Sequence, residues 1–150
     1  MIIVSPYSKK LLSGKQNPKN YPFWKSLIHL FSAKYQIIQI GIEGEEKLVN
    51  DFRKNIPLEE IKKLLSECEF WMSPDNFLPH LAHHVKKPGA VLWSVSDPNI
   101  FGYPENLNIL KDRKYIRPNQ FDMYDNTPYN IEAFVKPDEV LIQVSSFFGT

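Results

Sequence analysis

The residues with the clearest chemical potential lie in one segment, SPDNFLPHLAHHVKKPG, residues 73–89, which carries an acid, an amide and three histidines. His80 and His84 are four residues apart and would share one face of a helix, as zinc ligands often do. The interval between them reads LAH, without the glutamate of an HExxH zinc motif. Asp75 could instead cap the helix that follows. We therefore predict no metal site and interpret the histidines as packed or solvent-facing side chains.

A second group of candidates is the lysines of the loop PYSKKLLSGKQNPKNYP, residues 6–22. Lys9, Lys10, Lys15 and Lys19 stand just ahead of a predicted helix, whose first turn has free backbone N–H groups and a positive dipole end. Phosphate binds well at such a place. The loop lacks the glycine-rich P-loop pattern, however, and most lysine-bearing loops are simply solvated. The lysines allow either a phosphate site or an ordinary surface loop.

A third candidate lies in the acidic turn GIEGEEK, residues 41–47. An acid just past the second strand of a nucleotide-binding sheet is well placed to accept hydrogen bonds from ribose hydroxyls, and a neighbouring glycine lets a ligand approach closely. Glu43 is the best candidate for this role. The alternative is that Glu43, Glu45 and Glu46 begin a helix, where the helix dipole favours acids.

The elements that must position these residues follow from the apolar pattern, in which strand-like runs alternate with helix-spaced stretches. Strands are predicted at residues 2–5, 36–42, 69–73 and 90–95, and helices at about residues 23–35, 57–65, 77–85 and from 137 onward. Residues 97–130 are rich in proline and asparagine and predict a loop with one short strand. Strand, helix and strand in close succession indicate right-handed crossovers and so a parallel sheet.

The predicted fold class is therefore α/β, a Rossmann-like open parallel sheet with helices on both faces. In such sheets ligands lie beyond the carboxyl ends of the strands. The loops expected to hold a ligand are residues 6–22, 41–50, 73–80 and 95–104.

The composition of the whole chain narrows the classes of protein. At 150 residues with 43% apolar residues, the chain predicts one domain, residues 1–150, with a substantial core. Its 18 Lys and Arg against 17 Asp and Glu create no global field that would attract nucleic acid. Cys68 is the only cysteine, which excludes an intramolecular disulfide and a multi-cysteine zinc site. The sequence shows neither a membrane span nor a signal peptide, so we expect a cytoplasmic protein.

Three loop motifs follow one another in the order found in one known family. KNYP at residues 19–22 resembles a KxWP-like turn before a helix, and GIEGE at residues 41–45 resembles a GxExE-like loop. DNFLPHLA at residues 75–82 resembles D-(S/T)-G-x-x-H-L-A, the most specific of the three, and KKPGAVLWSVSDP resembles its sequel. On these motifs the chain resembles the C-terminal half of glycosyltransferase family 9, the ADP-heptose:lipopolysaccharide heptosyltransferases. The resemblance covers residues 2–103 and the tail EAFVKPDEVLIQV.

The resemblance implies that the chain binds a nucleotide sugar, with an ADP sugar favoured, and that it needs neither a cofactor nor a metal. It implies donor-binding roles for five residues: Lys19, Glu43, Asp75, Asn76 and His80. Lys19 would contact the donor phosphate and Glu43 the ribose hydroxyls, while the other three would border the diphosphate and sugar. Lys15 is a further candidate phosphate contact. Backbone N–H groups at the start of the predicted helix 77–85 would stabilise charge on the nucleotide leaving group.

Two departures from the family shape the predicted function. Phe77 stands where the family has glycine, so bulk is added where a phosphate would approach the backbone, and the pocket is expected to be reshaped or partly blocked. The sequence also holds no counterpart of the family's acceptor domain and its general-base aspartate. We therefore expect glycosyl transfer only with a partner chain or through self-association. The alternatives are a non-catalytic protein that binds a nucleotide or an ADP-ribose-like ligand, a degenerate interaction module and, last, a metal hydrolase.

Overall fold

The fold is built on a parallel sheet. A computed structural model describes residues 1–149, and within them the strands are β1 (Ile2–Val4), β2 (Ile37–Gly41), β3 (Phe52–Lys54), β4 (Trp71–Ser73), β5 (Ala90–Leu92) and β6 (Leu107–Ile109). They pair in the order β3-β2-β1-β4-β5-β6, and each neighbouring pair is parallel. This is the strand order of doubly wound dinucleotide-binding folds, with a switch point between β1 and β4. The predicted Rossmann-like fold is confirmed.

The helices cover both faces of this sheet. They are α1 (Trp24–Ser32), α2 (Leu58–Glu67), α3 (Leu78–His84), α4 (Pro98–Phe101) and α5 (Pro137–Phe148), with single 3-10 turns at Arg113–Tyr115, Tyr124–Asn126 and Ile131–Ala133. Helices α1 and α5 contribute to the core on one face, and α2 and α3 to the core on the other. In residues 1–149 none of the helices has the length and apolar character needed to cross a membrane.

The two cores explain why the strands appear in the sequence as continuous apolar runs. In β1, Ile2 and Val4 belong to the core beneath α1 and α5, whereas Ile3 belongs to the core beneath α2 and α3. Met72 and Trp71 of β4 divide between the two cores in the same way. Since successive side chains of a strand point to opposite faces, a sheet covered on both faces favours apolar residues at successive positions.

One strand is absent from the sequence prediction. The residues of β3, FRK, lie at the edge of the sheet with partly or fully exposed side chains, so they show no apolar run. Backbone pairing with β2 forms this strand. The short strand expected within residues 97–130 is β6, and the helix expected from residue 137 onward is α5.

Candidate functional site

A cavity of about 480 Å³ lies at the carboxyl ends of β1 and β2, beside the turn that follows β4. It sits at the switch point of the sheet, where ligands of open α/β folds bind. Three of the loops predicted to hold a ligand, residues 6–22, 41–50 and 73–80, contribute to its lining, together with the loop from β3 into α2. The fourth predicted loop, residues 95–104, does not line it.

The cavity has two chemically different walls. The first, which we call the lysine wall, follows β1 and consists of Ser5, Tyr7, Ser8, Lys9, Lys10 and Lys19. The second, the apolar wall, consists of Ile40, Ile42, Ile56, Leu58, Ile61 and Phe77. Ammonium groups bind anionic oxygens, while aliphatic and aromatic side chains bury apolar ring surface. The cavity therefore suits a ligand that has an anionic part and an apolar part.

Lys19 is held in place by two neighbours. Its Nζ lies 3.7 Å from Asp75 Oδ2 and 4.5 Å from the centre of the Tyr124 ring. The side chains of Lys19 and Asp75 are only 16% and 14% exposed, so this ion pair is not freely solvated. An ammonium fixed in this way can meet an anion without a large loss of rotamer freedom. The structure thus pairs two of the predicted site residues, of which Lys19 lines the cavity and Asp75 does not.

Asn76 joins the two loops that meet at the switch point. Its Nδ2 donates to Ser5 O and Ser5 Oγ, each at 3.1 Å, and to Tyr7 O at 3.2 Å. These acceptors follow β1, whereas Asn76 itself follows β4. The amide nitrogen is therefore already engaged within the protein. The structure gives Asn76 a positioning role beside the cavity that it lines.

The start of α3 offers fewer free N–H groups than the sequence predicts. The Leu78 N–H donates to Asn76 Oδ1 at 3.0 Å, and Pro79 has no N–H to offer. Two positions of this helix start therefore offer no free N–H to a developing negative charge. The lysine wall is the better anion-binding part of the site.

Glu43 lies at the rim of the cavity with its side chain largely exposed. Its carboxylate pairs with Lys54 at 3.5 Å, and its N–H donates to Asn55 Oδ1 at 3.3 Å. Residues 42–50 form turns that lead into β3, so the alternative in which these acids begin a helix is wrong. An exposed carboxylate in this place keeps acceptor oxygens available to hydroxyl groups.

Glu45 stabilises the same turn through a hydrogen bond within it. Its Oε1 accepts the N–H of Ile42 at 2.6 Å, and burial raises the pKa of the Glu45 carboxyl above its usual range. A Cβ atom at Gly41 would overlap that oxygen, so the glycine at the end of β2 makes room for the turn. The glycine therefore shapes the rim that carries Glu43.

Two residues that sequence reasoning missed hold this turn in place: Tyr7 ties it to the lysine wall, and Gln39 ties it to β2. Tyr7 OH donates to Glu46 Oε2 at 3.4 Å, and burial, followed by the nearby Glu46 charge, raises the pKa of Tyr7 to about 12. Gln39, fully buried in β2, donates from Nε2 to Glu46 O at 2.8 Å and accepts the N–H of Leu48 at 2.7 Å. A polar residue inside an apolar strand was the only sequence signal for Gln39.

His80 and Lys15 lie away from the cavity. His80 Nδ1 is 2.7 Å from Tyr103 OH, and the His83 ring stacks on Tyr103 with 3.9 Å between the ring centres. A hydrogen bond from His83 lowers the pKa of the Glu105 carboxyl. Lys15 is exposed, and its backbone N–H donates to a neighbouring serine. The structure therefore does not bring these two predicted contacts to the cavity lining.

Tyr124, which faces Lys19, is another residue that sequence reasoning missed. The Arg117 guanidinium lies 3.8 Å from the centre of its ring, and Tyr124 OH is 2.7 Å from Ser96 Oγ. Cations over an aromatic face are attracted by the ring quadrupole. Tyr124 thus links Lys19 to the loop after β5, although no local sequence pattern indicates this contact.

The loop after β5 is fixed by a bidentate ion pair. The Asp97 carboxylate accepts hydrogen bonds from Arg113 at 2.8 and 3.1 Å, and its Oδ1 also accepts the N–H of Asn99. Gln120 accepts the Asp97 N–H at 2.8 Å. The hydrogen bonds from Arg113 hold the pKa of the Asp97 carboxyl below its usual range. This loop is therefore part of the scaffold behind Tyr124.

Replacing Asp97 with asparagine should make the free energy of unfolding less dependent on pH. Asparagine keeps the hydrogen bond to Asn99 but loses the ion pair. A carboxyl whose pKa is lower in the folded state stabilises above its unfolded pKa, and this stabilisation disappears as the pH falls through the folded pKa. We expect wild type to be more stable than Asp97→Asn above the ordinary pKa of an aspartate, and we expect this difference to shrink as the pH falls below it, because the pKa of Asp97 is lowered in the folded state. Urea unfolding across this range measures the difference, with Glu67→Gln as the charge-matched control. A gap that persists unchanged to the lowest pH would contradict the prediction.

Comparison with known proteins adds structural neighbours. No family model and no curated protein sequence matches the chain. The iron-containing dodecameric glycosyltransferase TibC from enterotoxigenic E. coli matches with a TM-score of 0.72 and 16% identity, over 99% of this chain and 46% of that chain. E. coli heptosyltransferase WaaC with ADP matches with a TM-score of 0.70 and 14% identity, over 97% of this chain and 43% of that chain. A family 9 glycosyl transferase from Veillonella parvula matches with a TM-score of 0.71 and 12% identity, over 99% of this chain and 46% of that chain.

These matches define the class of fold. The chain has the α/β fold of one half of a GT-B glycosyltransferase, and it spans about half the length of the solved structures it matches. More particularly, those neighbours are the heptosyltransferases and family 9 glycosyltransferases that the loop motifs resemble, so the resemblance is confirmed for the fold. Within residues 1–149 no group of three His, Cys, Asp or Glu side chains could hold a metal ion.

Proposed function

We propose that this chain binds a nucleoside-diphosphate sugar in the cavity, as the donor-binding half of a heptosyltransferase-like glycosyltransferase. The observation that carries the proposal is that the lysine wall and the apolar wall line one cavity at the switch point of the sheet. A diphosphate needs fixed cations, and a base needs apolar surface. WaaC, whose structure is described with ADP, shares this fold and supports the same class of ligand.

In this proposal each part of the ligand has a partner. Lys19, already oriented by Asp75, binds the diphosphate, and Glu43 at the rim accepts hydrogen bonds from the ribose hydroxyls. Asn76 holds the turn after β4 against the lysine wall. Lys15 and His80 would contact only those parts of the donor that extend beyond the cavity.

Transfer needs an acceptor hydroxyl held in line and deprotonated as it attacks. Since the chain spans about half of its neighbours' length, we propose that the acceptor site and general base come from a partner chain, a second copy or another part of a longer protein. The dodecameric state named for TibC supports self-association as one of these routes.

Calorimetric titration tests the binding step. We expect saturable binding of ADP and ADP sugars in the presence of a chelator, because the site supplies its own cations. Glu43→Ala should weaken ADP binding about tenfold through the loss of charged hydrogen bonds to the ribose. Glu59→Ala, an exposed acid on α2 outside the cavity, is the matched control. Failure to bind any nucleotide would overturn the proposal.

A further inference from the structure

Phe77 has no evident role in holding the fold together. Its ring lines the cavity and is 43% exposed, whereas the neighbouring Leu78 is fully buried in the core. Its backbone, with φ −69° and ψ −28°, is right-handed helical, a conformation that every ordinary residue adopts. Neither the core nor the backbone therefore requires an aromatic residue at this position.

Phe77 belongs to a group of exposed apolar side chains at the mouth of the cavity. Ile42 and Leu58 on the same wall are 59% and 57% exposed, while Ile40 and Ile61 behind them are buried. Large apolar side chains clustered around a concave site are typical of ligand contacts rather than of free surface. The apolar wall thus offers exposed apolar contact area in the same cavity as the lysines.

The cavity remains open with the Phe77 ring in place. Its volume of about 480 Å³ lies within the range of ordinary small-molecule sites. The anionic part of a nucleotide is drawn to the lysine wall, which leaves its flat base for the apolar wall. Aromatic side chains bind bases by stacking, because every base has an apolar ring face.

We propose that Phe77 is a specificity-determining residue whose ring packs against the nucleobase, so that the site favours a purine over a pyrimidine nucleotide. This inference rests on the proposed function of the same cavity. Stacking tolerates different base edges but strengthens with ring size. Bulk at position 77 therefore selects the ligand instead of blocking it.

The test is the affinity of the full chain for ADP, UDP and inorganic pyrophosphate in wild type, Phe77→Ala and Phe77→Trp. Phe77→Ala should weaken ADP binding about tenfold and UDP binding less. The ratio of the ADP affinity to the UDP affinity should therefore fall toward one. Pyrophosphate affinity should not change, and Phe77→Trp should retain ADP binding. Phe121→Ala removes an aromatic ring that is 81% exposed and lies outside the cavity, and it should behave as wild type.

If the Phe77 ring contacts the base, its removal weakens ADP binding. If the ring obstructs the cavity, its removal leaves ADP binding unchanged or strengthens it. If Phe77→Ala or Phe77→Gly binds ADP as tightly as wild type or more tightly, the inference is overturned, while ADP binding that remains sensitive to Glu43→Ala upholds the proposed function. An equal loss for ADP, UDP and pyrophosphate would show a general disturbance of the site and would also overturn the inference. Absence of ADP binding in wild type and all variants would overturn both.

Discussion

Replacing Asn76 with alanine is expected to lower the free energy of unfolding by about 3 kcal/mol, because it removes hydrogen bonds that join the loops after β1 and β4. The partly buried carbonyl oxygens of Ser5 and Tyr7 would lose this donor. The Leu78 N–H would lose its acceptor as well. Urea unfolding followed by circular dichroism measures the change.

The matched control is Asn119→Ala. Asn119 accepts a single local bond, from the N–H two residues on, as Asn76 does from Leu78. The difference between the two variants therefore isolates the bonds that Asn76 Nδ2 makes across the switch point. Asn76→Asp should be at least as destabilising, since it replaces the donor with a charged acceptor facing two carbonyls. Equal stabilities of Asn76→Ala and Asn119→Ala would show that the junction contributes nothing.

The fold could be predicted because most strands are covered on both faces. Residues such as Ile3 and Trp71 fill one core while their neighbours fill the other, and this burial leaves continuous apolar runs in the sequence. β3 left no such signal, because Arg53 and Lys54 at the sheet edge face solvent. Its formation depends on backbone pairing with β2, which a local pattern does not reveal.

The sequence predicts the site only to the extent that the ends of the strands determine which loops form it. The order of the elements places Lys19, Glu43 and the turn of residues 75–77 at one edge of the sheet. The direction of a side chain depends instead on partners distant in sequence. His80 turns to Tyr103, and Tyr124 reaches Lys19 across more than 100 residues. The histidine-rich segment therefore contributes the junction residue Asn76 and one residue of the apolar wall, Phe77, while its histidines do not line the cavity.

The second large effect is expected at Lys19. Lys19→Met removes the charge but keeps most of the side-chain length, and it should weaken ADP and pyrophosphate binding about 10- to 100-fold through the loss of a charge-assisted hydrogen bond to phosphate. The effect includes repulsion, because Asp75, now without its partner, would remain near the bound anion. Calorimetry at several salt concentrations measures both the loss and the reduced salt dependence.

Two comparisons decide whether Lys19 acts as the anion-binding group of the cavity. Lys15→Met removes an equal charge from the same loop, and it should leave the affinity nearly unchanged because Lys15 does not line the cavity. Adding Asp75→Asn to Lys19→Met should restore part of the affinity, since it removes the carboxylate that Lys19 no longer balances. If Lys19→Met and Lys15→Met weaken ADP binding equally, only the net charge of the loop attracts the ligand. In that case the close pairing of Lys19 with Asp75 would have only a structural role.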